Sequence, residues 1–172
     1  MKKIIFCFLL LCLNSAASFA EIVNRTAADG AELSFDIKDG VPVRAENDWV
    51  KILYAGFVVD LKDETQDRTY LEWTFGLEAK YQHIRRIKVY DVSEPPVVLL
   101  VDDSNIIFEG KEWFVKLPPV PITREGYPWF FEDNDTALMF RFDLEDSLGR
   151  RKSVYQLAIF SVELKKKLIR KI

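Results

Sequence analysis

The stretch YLEWTFGLEAK, residues 70–80, decides the fold class of this chain. Its apolar residues recur at every second position, which is the period of a β-strand. Successive side chains of a strand point to opposite faces, so one face of this strand is predicted to line a core and the other to face water. The core stripe consists of Leu71, Trp73, Phe75, Leu77 and Ala79.

The same alternation recurs further along the chain. A second long stripe consists of Leu138, Phe140, Phe142 and Leu144. The opposite face of the same predicted strand, expected to face water, carries Met139, Arg141, Asp143 and Glu145. A shorter one consists of Trp113, Val115 and Leu117, and residues 97–101 form a brief β-branched run. Repeated stripes of this kind indicate strands that each cover one side of a shared core.

The segment from Trp49 to Lys62 changes its alternation midway. Val50, Ile52 and Tyr54 share one face, and the apolar set continues at Phe57 after a slip of one residue at residues 55–56. A β-bulge supplies such an extra residue, and glycine tolerates its backbone angles. A strand buried on both faces is the alternative interpretation.

Turn signals separate these runs. Asp29-Gly30 and Asp39-Gly40 are typical of tight hairpin turns, and residues 146–149 of a longer hairpin loop. Eight or nine strands are predicted, and residues 163–172 fit either a terminal helix or a continuation of the last strand. Short strands spaced by turns predict an all-β fold: an antiparallel β-sandwich that resembles immunoglobulin-like sandwiches in architecture, with a small up-and-down β-barrel as the alternative.

The amino terminus has the three parts of a secretory signal peptide. Met1-Lys2-Lys3 is a basic start, residues 4–13 are an apolar run, and residues 14–20 end in small side chains. Cleavage is expected before Glu21, so residues 1–20 are the signal and 21–172 a single all-β domain exported to the periplasm or the extracellular space. The apolar run is shorter than the roughly 20 residues of a membrane-spanning helix, and no other apolar segment approaches that length.

Composition excludes several function classes for the mature chain. Removing 20 of the 172 residues leaves 152, with 22 basic and 27 acidic residues and a net charge of −5. This acidity argues against nucleic acid as a partner. Both cysteines, Cys7 and Cys12, lie in the signal, and His83 is the only histidine. Thiol chemistry and multi-histidine metal sites are therefore excluded, and no cofactor is predicted.

The densest aromatic group is residues 127–131, which follow a proline-rich segment. Tyr127, Trp129, Phe130 and Phe131 are the candidate binding residues, because exposed aromatic rings supply stacking area for a sugar ring or a partner side chain. The competing interpretation is that these rings close an open end of the sandwich.

Acidic and basic clusters supply further candidates. Glu132, Asp133 and Asp135 are a weak calcium candidate, although a solvated turn explains them equally. Asp102-Asp103 and Glu132-Asp133 are the adjacent carboxylates considered for hydrolysis, but adjacent residues of an extended segment face opposite ways. A basic tail could touch anionic lipid or an acidic partner, or could protect an edge strand; it consists of Lys165, Lys166, Lys167, Arg170 and Lys171.

Three functions remain open on this basis. The first is an exported non-catalytic protein that binds another protein through loops or a sheet edge, such as an envelope accessory, inhibitor or adhesion module. The second is a glycan-binding or small-ligand module that uses the aromatic group at 127–131. The third is a carboxylate-dependent hydrolase. The oligomeric state is left open.

Overall fold

The computed structural model describes residues 20–60, 70–104, 106, 108 and 110–169. The signal peptide prediction, but for Ala20, lies outside these residues. The described chain holds eleven strands, a short 3-10 helix at Pro128–Phe131 and the helix α1 at Val162–Ile169. The strands are β1 Ala20–Thr26, β2 Glu32–Lys38, β3 Val41–Pro42, β4 Val50–Asp60, β5 Tyr70–Ala79, β6 Ile84–Asp91, β7 Val98–Ser104, β8 Glu112–Lys116, β9 Val120–Pro121, β10 Thr136–Asp146 and β11 Arg151–Phe160.

Two antiparallel sheets form the predicted sandwich. One has the order β4-β5-β8, with β9 also paired to β5, and the other has the order β11-β10-β6-β7. β4, β5 and β8 therefore lie in one sheet, and β6, β7, β10 and β11 lie in the other. The sandwich prediction is confirmed, and the sheets do not close into a barrel.

The core lies where the predicted stripes of the two sheets meet. Every residue of the stripe on β5 is buried, as is every residue of the stripe on β10. Rings interlock across the interface, with the centroid of Phe75 5.3 Å from that of Phe140 and 6.0 Å from that of Phe142. Edge-to-face packing of this kind adds to the stabilisation from buried apolar area.

A third sheet, β1-β2-β3, packs on the outer face of β10 and β11. Phe35 and Ile37 from β2 form a second apolar cluster with Met139 and Leu157. The prediction that Met139 faces water is therefore wrong. Alternation assigned its face correctly, but the third sheet covers that face of the sandwich.

The bulge in β4 lies at Leu53, not at residues 55–56 as the sequence suggested. Ile52 pairs with Leu77 and Tyr54 with Gly76, so Leu53 is the extra residue. A bulge reverses the facing of every residue that follows it. Tyr54 consequently lies on the outer face, 40% exposed, while Phe57 remains buried. The prediction that Tyr54 shares the core face of Ile52 is wrong for this reason.

The predicted turns form where the sequence placed them. Asp39 and Gly40 have φ angles of 52° and 76°, as a tight hairpin turn between β2 and β3 requires. In the loop between β10 and β11, the Asp146 carboxylate accepts the amides of Leu148 and Arg150, each at 2.9 Å. These bonds satisfy the loop backbone and hold the hairpin closed.

The carboxy-terminal segment is a helix rather than a further strand. Its first amide, that of Val162, donates to Asp135 Oδ1 at 2.7 Å, and the Leu164 amide donates to Ser161 Oγ at 3.2 Å. Both bonds satisfy amides that a helix start leaves unpaired. None of the helices in the described ranges has the length and apolarity to cross a membrane.

A charged cluster fastens the third sheet to the sandwich. Asp29, in the turn between β1 and β2, pairs with the Arg141 guanidinium and accepts the Tyr155 hydroxyl at 3.0 Å. Burial alone would raise the pKa of Asp29, but bonds from the Ala31 amide, Arg141 and Tyr155 hold that pKa below its ordinary 3.8. The ionised carboxylate is therefore the form that the folded state favours.

Replacing Asp29 with asparagine is expected to weaken the acid sensitivity of the fold. A depressed folded-state pKa stabilises the protein above about pH 4, and that contribution is lost as pH falls through the folded-state value. Asp29→Asn should therefore be less stable than wild type at pH 7, and the difference should shrink as the pH falls below about 4. Urea midpoints across this range measure the difference. The exposed Asp36→Asn is the control, and an equal pH dependence in Asp29→Asn and wild type would contradict the expectation.

Candidate functional site

The aromatic group at 127–131 closes one end of the sandwich. Phe130 is fully buried, and Tyr127, Trp129 and Phe131 are half-buried against the core. The Trp129 ring packs 5.7 Å from Phe57 and 6.0 Å from Phe160, measured between centroids. The expectation of an exposed platform is therefore wrong at Phe130, because the short helix turns that side chain inward.

Tyr127 packs inward as well, against the main core. Burial raises the pKa of the Tyr127 phenol, and a hydrogen bond with Trp73 opposes that rise. Both Trp73 and the rings around Tyr127 belong to the main core. The group thus contributes mainly to packing and leaves limited ring area for a sugar.

The acidic loop after these rings serves helix α1. Asp135 accepts the first helical amide, and Asp133 pairs with Lys166 at 2.6 Å. Glu132, Asp133 and Asp135 are exposed. Within the described part of the chain, no three His, Cys, Asp or Glu side chains converge as a metal site would require. The geometry therefore gives the calcium interpretation no support.

The basic tail divides into one buried lysine and one exposed lysine. Lys165 is only 1% exposed, and its ammonium donates to the Trp129 carbonyl at 2.9 Å and to Thr136 Oγ1 at 2.8 Å. Burial lowers the pKa of Lys165, against the opposing charges of the acidic loop. The expectation that Lys165 touches a lipid or partner is wrong, because its side chain anchors the helix. Lys166 is exposed. The side chain of Lys167 lies outside the described part of the chain, and so do Arg170 and Lys171 as a whole.

The adjacent carboxylates on β7 face opposite ways, as a strand requires. Asp102 accepts both Nε and Nη2 of Arg86 at 2.7 Å and lies 3.5 Å from Lys88. The Arg86 hydrogen bonds hold the pKa of Asp102 below its ordinary value, although burial opposes them. Asp103 instead accepts the Trp113 indole at 2.8 Å. The two groups are therefore not directed at one substrate.

His83 lies in the connection between β5 and β6 and is exposed. Its ring meets Tyr81 edge-on at 5.3 Å. The Tyr81 hydroxyl in turn donates to Asp146 at 3.2 Å. These contacts belong to the loops at that end of the sandwich.

The start of β7 exposes a run of apolar side chains. Val97, Val98 and Leu99 are consecutive apolar residues with 37%, 46% and 48% of their area exposed. β7 is the last strand of its sheet, and β6 is its only hydrogen-bonded neighbour among the described strands. No described strand pairs with the other side of β7, and the backbone groups of such an edge can pair with another strand. Residues 97–104 are referred to below as the β7 edge.

The edges of β8, β4 and β11 carry protection, and β7 itself has a bulge at Leu100, between the pairs Tyr90–Leu99 and Val89–Val101. β8 has Glu112 and Lys116 at its ends, and β4 has the bulge at Leu53. The edge of β11 is covered, because Gln156 accepts the Ala45 amide at 2.8 Å and donates to the Val43 carbonyl at 3.3 Å. Charges, bulges and covering loops are the devices that keep strand edges from pairing. The first half of the β7 edge has no charged residue.

The sequence predicts residues 97–101 only as a short β-branched run. Nothing in their composition says that the strand lies at an edge, because that depends on which neighbours it lacks. A run of three consecutive exposed apolar residues is the signal that marks the site once exposure is known.

Comparison with known proteins found no match: no protein-family model fits the sequence, no curated protein resembles it, and no solved structure shares its fold closely enough to register.

Proposed function

We propose that this chain is an exported, non-catalytic binding protein that captures another protein by adding an extended segment of it to the β7 edge. The site of action is the periplasm or the extracellular space. The observation that carries the proposal is the exposed apolar run at Val97–Leu99 on an edge with open backbone groups.

Strand addition uses both features of this edge. Backbone hydrogen bonds between the edge and an added strand supply affinity, and neighbouring side chains supply specificity. Leu99 pairs in register with Tyr90, so an added strand would meet apolar surface on the outer face of the sheet. The chemistry of the edge therefore favours an extended segment with apolar side chains.

An apolar edge without charged residues is a hazard unless it has a use. Exposed apolar edges lead to aggregation, and exposed apolar patches mark partner sites. Charged residues make up 30% of this chain, so its surface has ample means of protection. The absence of charge from residues 97–101 supports a partner that covers them.

The amino-terminal sequence supports export. Its basic start, apolar run and small-residue exit are the features that a signal peptidase reads. An exported chain of this size does not need disulfides, because its core can suffice.

The mature protein is expected to select extended apolar peptides from a random displayed library, and Leu99→Lys should weaken their binding at least about tenfold. A lysine there places a charge beside the apolar side chains of the added strand and removes buried area. Dissociation constants of the selected peptides for purified variants measure the loss.

Leu148→Lys is the matched control, since Leu148 is 77% exposed but lies in the loop between β10 and β11. Its affinity should stay at the wild-type value. Equal binding by Leu99→Lys and wild type, or a library that yields no binder, would overturn the proposed function.

A further inference from the structure

We infer that the segment bound at the β7 edge carries a lysine or arginine that pairs with Asp103. Two positions away in the same segment, an apolar residue lies beside Val101. This inference rests on the proposed function and names the chemistry of its partner.

The two carboxylates of the edge, Asp102 and Asp103, differ in whether a cationic side chain pairs with them. Asp102 already has Arg86 and Lys88 as cationic partners. Asp103 has a neutral donor, the Trp113 indole at 2.8 Å, and no described lysine or arginine lies within 4.0 Å of it. A positively charged side chain of a partner would therefore gain more binding free energy beside Asp103 than beside Asp102.

Register places Asp103 where an added strand passes it. Asp103 pairs with Ile87 and Val101 pairs with Val89, so both side chains lie on the inward face of β7. The bond to Trp113 on β8 directs Asp103 toward the side of the sandwich that β7 and β8 border. A strand added to β7 would run along that same side, about 4.8 Å away.

Strand geometry then sets the spacing in the partner. Side chains on one face recur at every second residue, so neighbours of Val101 and Asp103 are two positions apart in the added segment. The neighbour of Val101 is apolar because Val101 is buried. The neighbour of Asp103 is cationic because the added strand removes water from a carboxylate that has no cationic partner among the described residues.

The indole bond prepares the carboxylate for this role. It holds one oxygen, Oδ2, in place, and no described lysine or arginine lies within 4.0 Å to compensate the carboxylate's charge. A pair formed on a fixed group loses less side-chain entropy than one formed between two mobile chains. The net charge of −5 expected after signal removal, from 22 basic and 27 acidic residues, attracts a basic partner at long range as well.

The test uses synthetic peptides of about six residues, the usual length of a strand, taken from the library selection. One version has lysine at the position beside Asp103 and the other has glutamine, with all other residues equal. Wild type should bind the lysine peptide at least about tenfold more tightly. Asp103→Asn keeps an oxygen for the Trp113 indole and should bind both peptides within about twofold.

Asp102→Asn is the control variant, because it removes a neighbouring charge of the same edge yet should keep the lysine preference. Equal affinity of wild type for both peptides, or a preference that survives in Asp103→Asn, would overturn the inference. If Leu99→Lys still weakens both peptides in that case, the proposed function stands without it. If no peptide binding depends on Leu99, the proposed function and the inference fail together.

Discussion

Phe140→Ala should destabilise the protein by about 3–5 kcal/mol, the cost of emptying a fully buried phenylalanine site. Phe140 has no exposed area and meets Trp73 and Phe75 at centroid distances of 5.5 Å and 5.3 Å. These two rings belong to the facing sheet, so the cavity would open at the centre of the sandwich. Neighbouring aromatic side chains are too rigid to fill it.

The loss is measured as a lower urea midpoint and as a fall in melting temperature of roughly 6–20 °C. Phe114→Ala is the matched control: Phe114 is 53% exposed on the outer face of β8, and its truncation should cost about 1 kcal/mol or less. Similar losses in both variants would show that the two sheets do not share the core described above.

Lys165→Ala should destabilise the docking of helix α1 by about 2–3 kcal/mol. The alanine leaves the Trp129 carbonyl and Thr136 Oγ1 without the charged donor that each now has, and hydrogen bonds to charged groups contribute about 1.5–3 kcal/mol apiece. Relief of the buried ammonium's desolvation offsets part of that sum. Faster proteolysis within residues 162–169 and a lower urea midpoint measure the effect.

The adjacent lysine provides the control. Lys166 is 53% exposed at its side chain and pairs with Asp133 on the surface, so Lys166→Ala should change stability by less than about 1 kcal/mol. If the two variants lost equal stability, Lys165 would not be the anchor of the helix.

The protein's core stripes could be predicted from the sequence because alternation is a local property of a strand. The stripes on β5 and β10 are buried as predicted, and the turn at Asp39-Gly40 forms as its residues indicate. The sequence predicts the bulge in the right strand but a few residues too late. A slip in the alternation of apolar residues shows only over several positions, so its exact place cannot be read from the sequence. Tyr54 was assigned to the wrong face for that reason.

Candidate site residues were harder to predict, because residue type does not report exposure. Phe130 has the composition of a binding residue and is buried in the core. Lys165 looks like a surface charge in a basic tail, yet it is enclosed by the chain around Trp129 and Thr136. Leu99 looks like an ordinary strand residue, yet it is half-exposed at a sheet edge.

By itself the sequence determined the class of fold, the inward face of most strands and the places where the chain turns, because backbone periodicity and turn chemistry act over a few residues. The tertiary structure alone decided that Met139 is covered, that Lys165 is buried and that β7 has an open side. Each of these depends on which distant segment lies next to a residue, and no pattern of neighbouring residues in the chain records that.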